Sequence, residues 1–143
     1  MTSFIRIFLP KAKYFMPNKI YALEWLNLSF KNLEASRILN EAEHFTDVIG
    51  VEVHQALEKI LKAVLAYNNV KIPRTHDLIE LVPLVKEFIA LNEEIINIIT
   101  VATDYYSQDR YPGPSYSIPP HKEIEAVIKN TYQFYKQVKE YVK

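Results

Sequence analysis

The sequence contains no cysteine, only two glycines (Gly50 and Gly113) and no excess charge of either sign, with 17 basic and 17 acidic side chains among 143 residues. Each shortage excludes a class of chemistry. Without cysteine there is no disulfide framework, no thiolate zinc or iron–sulfur ligation and no cysteine nucleophile, a composition compatible with a reducing cytoplasm. Two isolated glycines cannot write a P-loop or a dinucleotide fingerprint, because both need glycine where backbone approaches phosphate closely. Zero formal charge argues against a protein whose whole surface grips nucleic acid, and leaves room for a local basic patch. What is present is 49% hydrophobic content, enough for one domain with a buried core.

The neutrality is a sum of unlike parts. Arg6, Lys11, Lys13 and Lys19 fall in the first 23 residues with no acid among them, so the remainder carries 13 basic against 17 acidic residues, a net charge of −4. Residues 1–20 read as a basic, partly apolar arm, and residues 21–143 as the folded domain. The arm is unlike a secretory signal, since Arg6, Pro10, Lys11 and Lys13 interrupt the apolar residues from Phe4 to Phe15. No later run approaches the roughly 20 apolar residues of a membrane-spanning helix. The expectation is a cytoplasmic protein without a membrane segment.

Periodicity predicts helices throughout. From Tyr21 to about Phe45, Trp25, Leu28, Ala35, Leu39 and Ala42 recur at spacings of three, four or seven, which places them on one side of a helix. From about Val48 to Tyr67, Val53, Ala56, Leu57, Ile60, Leu61, Val64 and Leu65 form a broad apolar stripe that Asn68 and Asn69 end. A shorter helix follows Pro73, with Thr75 as the expected N-cap, Asp77 at the positive end of the dipole and Pro83 as a kink. A fourth is expected from about Asn92 to Asp109 on Ile95, Ile98, Ile99, Ala102, Tyr105 and Tyr106. Four prolines and Gly113 between Arg110 and Pro120 exclude regular helix there. The last helix spans about His121 to Val142. The fold class is therefore all-α, an up-and-down bundle of four to five helices.

The second helix carries the residues most able to do chemistry. Glu52, Gln55, Lys59 and Lys62 form a polar line opposite the apolar stripe, and Glu58 to Lys62 is a favourable i,i+4 pair. That line is either a solvated face or an anion site built on two lysines, and composition does not decide. His54 with Glu58 has the i,i+4 spacing of metal ligands; two ligands do not make a site, so no metal is expected. His76 reads as a first-turn residue whose ring bonds to backbone. Tyr105, Tyr106, Tyr111 and Tyr116 crowd around the proline segment, either finishing the core or facing a partner.

The order of residues says more. His54-Gln55-Ala56-x-Glu58-Lys59-x-x-Lys62-Ala63-x-Leu65, then Pro73-x-Thr75-His76-Asp77-Leu78-x-x-Leu81, then Arg110-Tyr111-Pro112 resemble the signature of the HEPN family, the higher eukaryotes and prokaryotes nucleotide-binding domains. The resemblance runs from about Tyr21 to the C-terminus. It implies a bundle similar to the C-terminal domain of kanamycin nucleotidyltransferase, commonly a homodimer, often working with a small nucleotidyltransferase and sometimes as part of a toxin–antitoxin pair. It also implies a nucleotide- or partner-binding surface formed by Gln55, Glu58, Lys59, Lys62, Thr75, His76, Asp77, Arg110 and Tyr111. In that surface Lys59, Lys62 and Arg110 face phosphate and Tyr111 stacks on a base.

Ribonuclease members of the family carry an Arg followed after four to six residues by a His near the last long helix. Here ten residues separate Arg110 from His121, and the six between Arg37 and His44 lie on the first helix. The expectation is a non-catalytic protein with no catalytic residues and no cofactor. The alternatives are a metal-independent ribonuclease toxin or a purely structural dimerisation module.

Overall fold

The computed structural model describes residues 17–106, 113 and 118–143. Among these residues five α-helices follow in order: α1 (Lys19–Glu41), α2 (Thr46–Tyr67), α3 (Leu78–Lys86), α4 (Glu93–Thr103) and α5 (His121–Tyr141), with a 3-10 turn, Asp104–Tyr106, closing α4. Among the described residues there is no strand, and no helix is long and apolar enough to cross a membrane.

Helices α1 and α2 form an antiparallel hairpin. The Asn18 backbone N–H donates to the carbonyl of Tyr67 at 3.0 Å, which ties the start of α1 to the end of α2, and the Asn18 side chain caps α1 by accepting from the Tyr21 N–H. At the other end the four residues 42–45 make the reversal, with Glu43 in the left-handed region at φ 56° and the His44 N–H donating to Leu39 O at 2.9 Å. A connection this short leaves no alternative to antiparallel packing.

Helix α2 is the centre of the bundle. Its expected stripe is fully buried, and burial extends around the helix to Ile49, His54, Glu58 and Lys62. The line Glu52, Gln55, Lys59 and Lys62 is therefore no solvated face: its first three members are half-buried and the fourth is buried. Helices α1, α3, α4 and α5 all pack on α2, which is why a polar line opposite an apolar stripe meets protein on both sides.

Helix α1 buries a different face from the one its hydropathy predicts. Its core line is Ala22, Leu26, Ser29, Leu33 and Ser36; of the expected residues Trp25 and Leu39 pack half-buried at the edge of the core, Ala35 is half-buried, and Leu28 and Ala42 are exposed. Ser29 and Ser36 satisfy their own hydroxyls by donating to Leu26 O at 2.7 Å and Leu33 O at 2.6 Å. Such back-bonded serines pack as small residues, so an apolar count misses them. The helix also stops at Glu41 rather than near Phe45, and α4 stops at Thr103 rather than Asp109.

Gly50 has a specific packing reason. A Cβ there would lie 3.0 Å from Cγ of Tyr105, the ring that seats the 3-10 turn on α2. The Tyr105 hydroxyl donates to Glu123 at 2.6 Å, and Thr46 Oγ1 donates to Pro119 O at 2.7 Å, so the first turns of α2 and α5 and the end of α4 are held together. On the other flank, Tyr132 of α5 donates to Glu34 of α1, which also pairs with Arg37 at 2.9 Å.

Candidate functional site

Where α2 meets the α2–α3 connection, two ionisable residues that normally seek water are buried together. Glu58 and Lys62, at 7% and 5% exposure, are one turn apart and pair through Oε2 and Nζ at 2.8 Å. The lysine ammonium also lies 5.7 Å from the ring centre of Trp25 on α1, a cation–π contact across the hairpin. A buried pair of this kind is tolerated only when partners satisfy the remaining atoms.

His76 supplies that partner from outside. The connection after α2 folds back so that His76 Nδ1 lies 3.1 Å from both carboxylate oxygens of Glu58. Its ring bonds a side-chain carboxylate rather than the backbone, and 61% of its side chain stays exposed. The connection is fixed by its own turn: Thr75 Oγ1 accepts from the Asp77 N–H at 3.0 Å and donates to Glu80 at 2.8 Å. Asp77, not Thr75, is the N-cap of α3, accepting from the Ile79 N–H at 2.9 Å. Thr75 and Asp77 thereby hold His76 in place between them.

His54 and Tyr106 complete the cluster. His54 is buried one turn before Glu58, with Nδ1 4.0 Å from Glu58 Oε1, and its ring stacks on Tyr106 at 4.9 Å between centres. Tyr106 also meets the His76 ring at 5.1 Å. Burial pushes the His54 imidazole down to about 4, against the attraction of the Glu58 carboxylate, so it is neutral at pH 7. Two buried polar atoms at this site, His54 Nδ1 and Trp25 Nε1, have no hydrogen-bond partner among the described residues.

The expected binding residues thus divide. Glu58, Lys62 and His76 converge, with Thr75 and Asp77 as their frame. Lys59 is engaged separately, donating to Asn32 Oδ1 of α1 at 2.7 Å while Asn32 Nδ2 donates to Glu52 at 2.9 Å. Gln55 is half-buried between these groups in sequence. Arg110, Tyr111 and Tyr116 lie outside the described residues. Trp25 and Tyr106 join the site without having been expected there. The spacing 54, 58 and 62 carried a readable signal, since it aligns three ionisable side chains on one helix face. No group of three or more histidine, cysteine or carboxylate side chains among the described residues is placed to hold a metal ion; beside Glu58 the ammonium of Lys62 already stands.

With this geometry in place, comparison with known proteins is informative. The family model for the HEPN domain matches residues 22–141. This chain belongs to the HEPN family. The crystal structure of ST0689, an archaeal HEPN homologue, superposes with a TM-score of 0.66 over 85% of this chain and 98% of that one, at 19% sequence identity. At that identity the likeness establishes the fold. No match among curated proteins was found. The all-α bundle expected from periodicity is thus the HEPN bundle, and the cluster around Glu58 lies wholly within the matched region.

Proposed function

We propose that this HEPN protein is a non-catalytic binding module, taking a nucleotide, or the nucleotide-bearing surface of a small nucleotidyltransferase, at the α2–α3 site. The observation that carries the reading is the buried Glu58–Lys62 pair, which reaches the surface through exposed His76 and is flanked by two buried polar atoms without partners among the described residues. Native proteins leave few such atoms, and buried ionisable clusters concentrate where ligands act. A bundle that needed only to fold would be served as well by apolar residues of similar volume.

In this reading Gln55, Glu58, Lys59, Lys62, Thr75, His76 and Asp77 form the binding surface, and its work is positioning rather than bond-making. Association as a homodimer and a place in a cytoplasmic toxin–antitoxin pair belong to the same proposal. Exposed Ile20, Ile38, Phe45 and Ile118 supply apolar surface for association.

Thermal unfolding with and without nucleotide tests the binding claim, because a ligand that favours the folded state must raise its stability. A midpoint that rises with ligand concentration, and no longer rises in His76→Ala, supports the proposal. Midpoints unmoved by any nucleotide remove it and favour the structural module.

A further inference from the structure

We propose that the α2–α3 site recognises the uncharged nucleoside part of its ligand, a planar base bearing N–H or O–H donors, and not its phosphates. The inference rests on the preceding reading that this site binds a nucleotide, and deepens it.

Of the three cations expected to meet phosphate, Arg110 lies outside the described residues, and the two lysines of α2 both hold partners inside the protein. Lys62 is buried on Glu58 at 2.8 Å, and Lys59 donates to Asn32 at 2.7 Å. For Lys62 to serve a phosphate it would have to abandon a buried carboxylate, leaving that charge unpaired in a dry setting, which proteins strongly resist. A second anion beside Glu58 would also meet a like charge. The pair is internally neutral, so it offers an incoming phosphate little net attraction.

What the site presents outward has different chemistry. A carboxylate only accepts, and Glu58 takes hydrogen bonds from Lys62 and from His76 Nδ1. His76 Nδ1 therefore carries the hydrogen, and in the neutral ring Nε2 is an acceptor. In that form the exposed edge of the site takes a donor such as an exocyclic amino group, a ring N–H or a ribose hydroxyl. Around it stand aromatic faces: His76 and Tyr106 are 5.1 Å apart between centres, and Tyr106 is backed by His54. Of these rings His76, with 61% of its side chain exposed, is the one that offers an aromatic surface to a planar base.

Titration calorimetry on the full chain with the four common nucleosides and their mono- and triphosphates tests this. The expected result is that at least one nucleoside binds within about threefold of its own triphosphate. Its affinity should also change less than about twofold between roughly 50 and 200 mM salt, where phosphate-driven binding falls steeply. His76→Ala should weaken that nucleoside by about tenfold or more; because His76 also bonds buried Glu58, far-UV circular dichroism and a melting curve check that the variant remains folded. Affinity that grows at least about tenfold with added phosphates and is lost with salt overturns this inference and leaves nucleotide binding standing. Absence of binding by nucleosides and nucleotides alike overturns both.

Discussion

His76 Nδ1 is equidistant, at 3.1 Å, from the two carboxylate oxygens of Glu58, a residue eighteen positions earlier that is itself paired with buried Lys62. A surface imidazole is thereby coupled to an internal ion pair. The energetics of that pair can be measured directly. Glu58→Ala strands the Lys62 ammonium in the core and should cost about 3–5 kcal/mol, while Glu58→Gln combined with Lys62→Met should cost well under half as much. Urea unfolding of the variants provides both numbers. Equal losses would show that the pair is not desolvated as described.

His54 should make stability depend on acid. Its folded-state value is pushed down to about 4 by burial, from an ordinary value of 6.5. The unfolded chain therefore takes up the proton first as pH falls. The contribution of the neutral ring is complete above about pH 6.5 and is lost progressively towards about pH 4, in all about 3 kcal/mol. Denaturant midpoints across that range should fall in the parent protein and fall less in His54→Phe, which keeps a ring against Tyr106. Parallel declines in the two proteins would assign the acid sensitivity elsewhere.

Gly50→Ala should be destabilising although alanine is the better helix former. The new Cβ would meet Tyr105 Cγ at 3.0 Å, and that ring is held by its hydrogen bond to Glu123. Overpacking of this kind costs about 1–3 kcal/mol against a propensity gain of at most about 1 kcal/mol. A lowered melting temperature is expected, and a raised one would mean that the 3-10 turn yields freely.

Asp77→Ala removes the side-chain acceptor from the first turn of α3 and should cost about 1 kcal/mol. Because Asp77 also borders His76, the same variant should weaken ligand binding through a misplaced imidazole. Loss of stability with unchanged binding would separate the cap from the site.

The fold was legible wherever apolar residues formed an unbroken stripe. Val53, Leu57, Ile60 and Leu61 of α2 and Ile124, Val127, Ile128 and Val138 of α5 are buried as their spacing predicts. The face of α1 was not legible, because Ser29 and Ser36 hide their polarity in bonds to the preceding turn. The pairing of Glu58 with Lys62 could be read from its i,i+4 spacing, but its burial could not, since that comes from helices packed on every side of α2. The link from Glu58 to His76 depends on how the connection between α2 and α3 folds back, which no periodicity encodes. The division of Lys59 from Lys62 was equally hidden: it is decided by Asn32 and Trp25, on the neighbouring helix.

Trp25 is the single tryptophan of the chain, and Lys62 Nζ lies 5.7 Å from its ring centre. Its fluorescence therefore reports on the site without a label. Titrating the protein with nucleosides and nucleotides, excited at the red edge to avoid base absorption, measures occupancy directly. The account predicts a saturable change in Trp25 emission that is lost in His76→Ala. Emission that stays flat across the titration, or that changes equally in His76→Ala, would contradict it.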